Sequence, residues 1–431
     1  MSFDTKSIQN ELQKAKRPEL SRILSDVWNI PIKEYSEILW RKNPTHPPME
    51  KELRQAFETE FYRIGLTEEI AKSYCVELEG TRVLQTATHL TASEGPTFLA
   101  LHHLALIGMP QEKTYFVGSY SGVPFANSAW SGCLNFSKRI DIESVISEKA
   151  PGFSELKRAD KDRIRDSSDR RISLVPGKMR DVRVFQSKIP EKMADLMTYF
   201  SDQILDISPK AKIDDDFTKW ATNFCTNQLG KIFPHKSLIY FDLNEVIRSY
   251  LELVISNSRH PIYRLFFDNA VRDSVFAVFP SGVPLFTIDV NYKNKTRQES
   301  VVLNGNELLS QNYRLKITQE NLISEIKSGA LCPGLFLGFT ALSFINGFDC
   351  FGSFEQVEYL TGFKQKWLKL DLLDNEIVRK SNTCAFTSGR CVNEAGEGIH
   401  PLDLLFGLEM RFNENQTMGE LMGPLLSRLL K

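Results

Sequence analysis

The chain has 431 residues, of which 42% are hydrophobic and 25% charged, with 53 basic against 54 acidic side chains and a formal net charge of −1. That length exceeds what one hydrophobic core usually supports, and the composition excludes an extended disordered chain. With no global field to attract nucleic acid or an anionic membrane, the expected partner is a small-molecule substrate; nucleic-acid and membrane contacts are not expected, and a homodimer stays open.

The opening "MSFDTKSIQNELQKAKRPEL" has neither the apolar core of a signal peptide nor the Arg-rich, acid-poor makeup of a transit peptide, so a cytoplasmic location is expected. Residues 1–80 carry apolar positions at helical spacing in "ELSRILSDVWNI" and "MEKELRQAFETEFYRIGL", predicting a helical N-terminal layer. The pattern then changes. "TRVLQTATH" and "EKTYFVGSY" are short β-rich runs on either side of the apolar helix "GPTFLALHHLALIG", a strand, helix, strand unit that implies parallel pairing.

This first half of an α/β core spans 81–136. From 137 to 192 the chain turns polar and charged, as in "ELKRADKDRIRDSSDRR", and reads as an inserted arm or lid. Its basic residues alternate with Asp and Ser and lack aromatic neighbours, which suits a solvated helix face better than an RNA-contacting element. A second half of the core, 193–362, alternates strands ("KSLIYFDLN", "DSVFAVFPSG", "PLFTIDVNY") with helices ("EKMADLMTYFSDQIL", "DFTKWATNFCTNQLG", "LNEVIRSYLELVISNS"), which makes α/β the fold class. Within it, "NGNELLSQ" and "ITQENLISEIKSG" read as a turn followed by a helix. "SGALCPGLFLGFTALSFINGF" is cut by Pro333, Gly334 and Gly338 and reads as buried core rather than a membrane span. Residues 363–431 form a helical C-terminal region around a loop or hairpin, "SNTCAFTSGRCVNEAGEGIHP".

Ligands of parallel α/β sheets bind where a strand hands the chain to a helix, and "THLTASEGP" occupies such a position. Thr91 or Ser93 is placed to cap the following helix, Pro96 suits its first turn, and the amides there favour a carboxylate or phosphate. His89, titrating near neutrality, is the candidate general base or acid, and Glu94 is expected to orient it or to bind an amine. Thr91, Ser93 and Gly95 are expected to contact substrate. A second loop after "YFVGS" adds Ser119, Ser121 and Asn127 as hydrogen-bonding groups, while Gly118 and Gly122 allow close backbone approach. Gly352, Ser353 and Glu355 in "INGFDCFGSFEQVEYL" mark a further helix start, and Cys350 beside them is a nucleophile only if its pKa is lowered. Asp242 closes one strand, and Asp289, inside an apolar run, needs a partner.

Other chemistries are not supported. GxGxxG, GxxxxGK[ST] and GxSxG are all absent. His102 and His103 lie on different sides of a helix without HxxxH or HExxH spacing, so no metal site is expected, and the cofactor is left open. The seven cysteines are odd in number, widely spaced and without a CxxC pair, which predicts free thiols.

"TATHLTASEGPTFLALHHLALIG", followed by a strand and polar loop and much later by "ITQENLISEIKSGALCPGLF" and "FINGFDCFGSFEQVEYLTGF", resembles the cysteine-adding enzyme family of bacillithiol biosynthesis over about a third of the chain. Gly95 and Pro96 match that family's first Gly-Pro, and Gly352 and Glu355 match its late Gly and Glu. His89 and Leu90 stand where the family has a glutamine pair, and "GSYSGVP" stands where it has an acidic motif. The resemblance implies a Rossmann-like parallel core; together with the loop residues above, the expectation is a ligase- or transferase-like enzyme of small-molecule biosynthesis acting on an amino-acid-like or carboxylate-bearing substrate in a cleft formed by the loops at 86–96 and 118–131. The competing expectation is a non-catalytic binding or assembly protein using the same cleft or the basic arm.

Overall fold

The computed structural model describes residues 5–41, 47–127, 130, 132–137, 169–199, 207, 209–279, 284–292, 295–370, 372–408, 410 and 413–430. Most of the expected charged arm, 138–168, lies outside the described residues.

Five helices, α1 (Thr5–Lys14), α2 (Pro18–Val27), α3 (Ile32–Leu39), α4 (Lys51–Arg63) and α5 (Glu68–Thr81), precede the first strand. Four short strands, β1 (Val83–Gln85), β2 (Thr114–Ser119), β5 (Ser237–Asp242) and β11 (Asp349–Phe351), then build a parallel sheet in the order β11-β1-β2-β5. The connection from β1 to β2 is α6 (Pro96–Ile107), so the strand, helix, strand unit is present as the patterning predicts.

Side chains alternate across this sheet, and both faces are buried. Leu84, Phe116, Ile239, Phe241 and Cys350 belong to one large core with Phe57 and Phe61 of α4. Val83, Tyr115, Val117, Tyr240 and Phe351 belong to another with Ala105 and Leu106 of α6. A parallel sheet covered on both faces needs apolar residues at successive positions, which is why "TYFV" and "LIYF" carry no polar alternation. The architecture is mixed α/β, with a four-stranded parallel sheet flanked by helices.

Two further sheets were not foreseen. β6 (Phe286–Tyr292), β7 (Lys295–Asn304), β8 (Glu307–Leu309) and β9 (Arg314–Lys316) form an antiparallel meander, with β10 (Cys332–Pro333) added beside β6. "NGNELLSQ" is therefore the turn and second strand of a hairpin, and the helix Gln319–Lys327 begins only after β9. β3 (Cys133–Ser137) and β4 (Asp169–Ser173) make a separate antiparallel pair.

Of "DSVFAVFPSG", expected as a strand, Asp273 to Val278 form the end of the helix Asn269–Val278 and Phe279 is its C-cap. Asp268 starts this helix by accepting bonds from the amides of Ala270 (3.1 Å) and Val271 (3.3 Å). The cap outweighs the β-branched and aromatic composition that suggested a strand. "SGALCPGLFLGFTALSFINGF" is mostly buried core, with Ser328 and Leu335 exposed, and folds as Leu335–Phe339 continued by a π-helical turn, Thr340–Ile345. No helix among the described residues is long and apolar enough to cross a membrane. All seven cysteines are free thiols, six of them buried.

Candidate functional site

At the carboxyl end of the parallel sheet the chain does not turn directly from β1 into α6. Thr88 and Leu90 instead pair with the extension of β2: the Tyr120 amide donates to the Thr88 carbonyl (2.8 Å) and the Leu90 amide to the Tyr120 carbonyl (2.9 Å). Extended backbone alternates its side chains, so Thr88 turns inward to share a hydrogen bond with Ser119 (2.7 Å). His89 emerges half-buried in the wall of a cavity.

The hydrogen bonds around His89 fix its tautomer. The Asn127 Nδ2 donates to the Pro124 carbonyl (3.1 Å), and its Oδ1 accepts from the Trp130 amide (3.1 Å). That same oxygen lies 3.3 Å from His89 Nδ1 and can only accept, so Nδ1 carries the proton and Nε2 is the basic nitrogen. Burial holds the His89 pKa below its ordinary value, partly offset by the bond to Asn127, so the ring is neutral at neutral pH. Its edge meets the Phe98 ring at 6.2 Å between centroids.

The cavity has a volume of about 910 Å³ and is bordered by the ends of three strands of the parallel sheet. Thr86, Ala87 and His89 come from the end of β1, Tyr120 and Gly122 from the end of β2, and Ser353, Glu355 and Gln356 from the end of β11. Because β1 and β11 are neighbours reached by separate connections, the space between their ends is a topological crevice, where ligands of open α/β sheets bind. Gly95, Pro96, Thr97 and Phe98 bring the first turn of α6 into the same wall. Gly95 caps the helix without a side chain, and with Gly95 to Phe98 in the cavity wall the positive end of the helix lies at the cavity.

The loop after β2 is held from behind. The Asn244 Oδ1 accepts from the amides of Ser121 (2.7 Å) and Gly122 (2.9 Å), while its Nδ2 donates to the Pro333 carbonyl (2.8 Å). The Ser121 hydroxyl donates to the Asp242 carboxylate (2.6 Å), and burial beside Glu60 holds that carboxyl well above the usual range.

The sequence candidates therefore separate into three groups. His89, Gly95, Ser353 and Glu355 line the cavity, and Asn127 acts on it through His89. Ser119, Ser121 and Gly352 are buried in the bonding of the strand ends. Thr91 and Ser93 sit too far upstream to cap α6: the Thr91 hydroxyl accepts from the Ser93 amide (3.2 Å), and the Ser93 hydroxyl from the Asn135 amide (3.1 Å). Glu94 is turned away from His89. Its carboxylate is sealed between His102 Nε2 (3.0 Å) and the Tyr240 hydroxyl (2.9 Å), with His102 Nδ1 meeting the Tyr115 hydroxyl at 3.1 Å. The group that orients His89 is Asn127.

The remaining candidates have surroundings of their own. Burial pushes the Cys350 thiol up to about 12, the opposite of an activated nucleophile. Gly118 is needed for packing: a Cβ there would stand 3.2 Å from the Phe241 ring. Asp289 accepts from the Arg183 amide (3.2 Å), which accounts for its place in an apolar strand. Among the described residues, no group of three or more His, Cys, Asp or Glu is arranged to hold a metal ion.

Several cavity residues were missed. Tyr359 and Phe363 come from the helix Gln356–Trp367, Arg390 and His400 from the long loop before the C-terminal helices, and Leu425 and Arg428 from the helix Met418–Leu429. Glu355 at the edge is matched by both guanidinium nitrogens of Arg17, which in turn lies over the Phe354 ring at 5.7 Å. Nothing local marks these residues, because only the tertiary fold brings them to β1. No protein-family model matches the chain, and no curated protein matches it at significant similarity.

Proposed function

We propose that this chain is an enzyme of small-molecule biosynthesis, ligase- or transferase-like, acting on a carboxylate-bearing substrate in the cavity at the strand carboxyl ends. The observation that carries the reading is the His89 ring: a neutral imidazole whose proton is fixed on Nδ1 by Asn127, leaving Nε2 as a base in the cavity wall. A base of this kind removes the proton from a hydroxyl, amine or thiol as it attacks an electrophilic carbon, then returns it to the leaving group. The positive end of α6, in the same wall, favours the negative charge that develops on the attacked group.

A Rossmann-like core is part of this proposal. The parallel strands, the β1-α6-β2 unit and the crevice beside β1 support it. So does the resemblance to the cysteine-adding family, whose Gly-Pro positions, Gly95 and Pro96, are cavity residues here. His89 then takes the place of a family glutamine with a group able to carry a proton.

The test is a thermal-shift screen of amino acids, carboxylic acids, nucleotides and sugar-amine conjugates against the wild type and His89→Gln, followed by product analysis on every hit. The expected result is a ligand that stabilises both proteins and is converted only by the wild type. Equal conversion by both would remove His89 from the reaction.

A further inference from the structure

We infer that one part of the cavity is a subsite for an uncharged apolar group, an aryl ring or an acyl chain, held against Phe336, Tyr359 and Phe363 with Leu335 and Leu429 at its edge. The inference rests on the proposed site and names the part of its substrate that does not react.

The wall is set by sequence spacing and by packing. Tyr359 and Phe363 stand four positions apart in the helix Gln356–Trp367 and so share one of its faces, their rings 5.7 Å apart. Phe363 meets Phe336 edge to face at 5.4 Å, which joins a ring from the helix Leu335–Phe339 to the other two. A second layer lies behind them. Phe336 stacks on Trp367 at 5.4 Å and meets Phe279 edge to face at 5.0 Å, and Tyr359 lies 5.7 Å from Phe339. Rings braced in this way present a surface already formed, so a ligand loses little free energy in ordering it. His89 reaches the same cavity from the end of β1, so the reacting group and the aromatic wall belong to different parts of its lining.

Exposure and charge identify the occupant. Leu335 and Leu429, two of the few large hydrophobic side chains exposed among the described residues, are 38% and 43% accessible, and both border this cavity. Apolar side chains accessible at the edge of a pocket mark a place where an apolar group is taken up. A cavity of about 910 Å³ is of the size that buries most of a drug-sized molecule, and a small hydrophilic ligand would leave the aromatic wall in water. A cationic body does not suit it. Glu355 is the one carboxylate among the described lining residues, and both guanidinium nitrogens of Arg17 already match it, which leaves no acidic group there to pair with an ammonium.

The experiment is calorimetric titration of the full chain with 4-phenylbutanol, which has an aryl body and no charge, and with 1,4-butanediol, which lacks that body. The variants are Leu335→Ser/Leu429→Ser, both at exposed positions, and Val76→Ser, an exposed apolar position on α5 outside the cavity lining. The expected result is that 4-phenylbutanol binds at a single site about tenfold or more tighter than the diol, with a negative heat-capacity change. The double serine variant should weaken it several-fold and Val76→Ser should leave it unchanged. Absence of 4-phenylbutanol binding, or equal binding of the two alcohols, would overturn the inference. Binding indifferent to the double variant would overturn it as non-specific association. A dimer in sedimentation velocity that the double variant splits, without alcohol binding, would overturn it in favour of a second copy of this chain on the two leucines. Neither probe carries a carboxylate and no turnover is read, so each of these failures leaves the proposed function standing. Equal conversion by wild type and His89→Gln would in turn leave this subsite standing.

Discussion

Two histidines stand thirteen positions apart on one strand, loop and helix, and their surroundings are opposite. His89 borders open space, is held by a neutral amide and keeps a basic nitrogen in the cavity wall. His102 is sealed between the sheet and α6, fully bonded to Glu94, Tyr115 and Tyr240. The difference teaches that a cluster of titratable residues in sequence is not a cluster in space. The irregular segment from 88 to 95 gives His89 to the cavity wall and Glu94 to the buried network of His102 and Tyr240. A buried polar network whose members are all bonded rigidifies its surroundings, and here it anchors the first turn of α6, which forms part of the cavity wall.

The sharpest way to break this contrast is to exchange the consequences of the two positions. His89→Gln should lower turnover of a converted substrate by about 10²–10⁴-fold while changing stability by less than about 1 kcal/mol, measured by steady-state kinetics and urea unfolding. Glu94→Ala should do the reverse first. It strips an acceptor from two buried donors, each costing about 1–3 kcal/mol, so unfolding should register a loss of about 2–5 kcal/mol. A stable Glu94→Ala protein with lost turnover would mean that the network acts in the chemistry.

Two other buried titratable groups give the fold its own pH dependence, which must be separated from that of the site. Burial raises the Asp349 carboxyl to about 7, so between pH 4 and 7 the unfolded chain ionises first and stability falls as pH rises. Burial lowers His103 to about 4, so the unfolded chain takes up its proton first and stability falls as pH drops from about 6.5 to 4. The two slopes oppose one another. Asp349→Asn should remove the first, a change with a ceiling of about 4 kcal/mol at pH 8, and expose the acid-side loss from His103 in unfolding curves taken from pH 4 to 8.

The smallest expected effect bears on the site itself. Asn127→Asp places a carboxylate against Nδ1 and should raise the His89 pKa by about one unit, moving the acid limb of a pH-rate profile upward by the same amount. An unmoved limb would show that another group governs it.

Much of the frame was legible because its signals are local. The change from helical spacing to short β runs at residue 81, Pro96 in the first turn of a helix, and the apolar strands of a sheet buried on both faces are all written within a few residues of where they act. The antiparallel meander was not, since its strands are partly exposed and its hairpin turn, "NGN", is followed by residues that suit helix as well as strand. Within the site, His89 and Asn127 were visible as polar groups after two adjacent strands. Arg390, Arg428 and Phe363 come from segments more than 270 residues away in the chain, and no spacing rule connects them to β1. Glu94 meets His102 and Tyr240 rather than His89, because residue spacing does not encode the direction in which an irregular segment turns.

The most direct test of the His89 assignment is a nitrogen-15 NMR titration of its imidazole. The structure predicts that His89 is the Nδ1-protonated tautomer at neutral pH and titrates below the ordinary histidine value of about 6.5. A proton on His89 Nε2, or titration above that value, would contradict it.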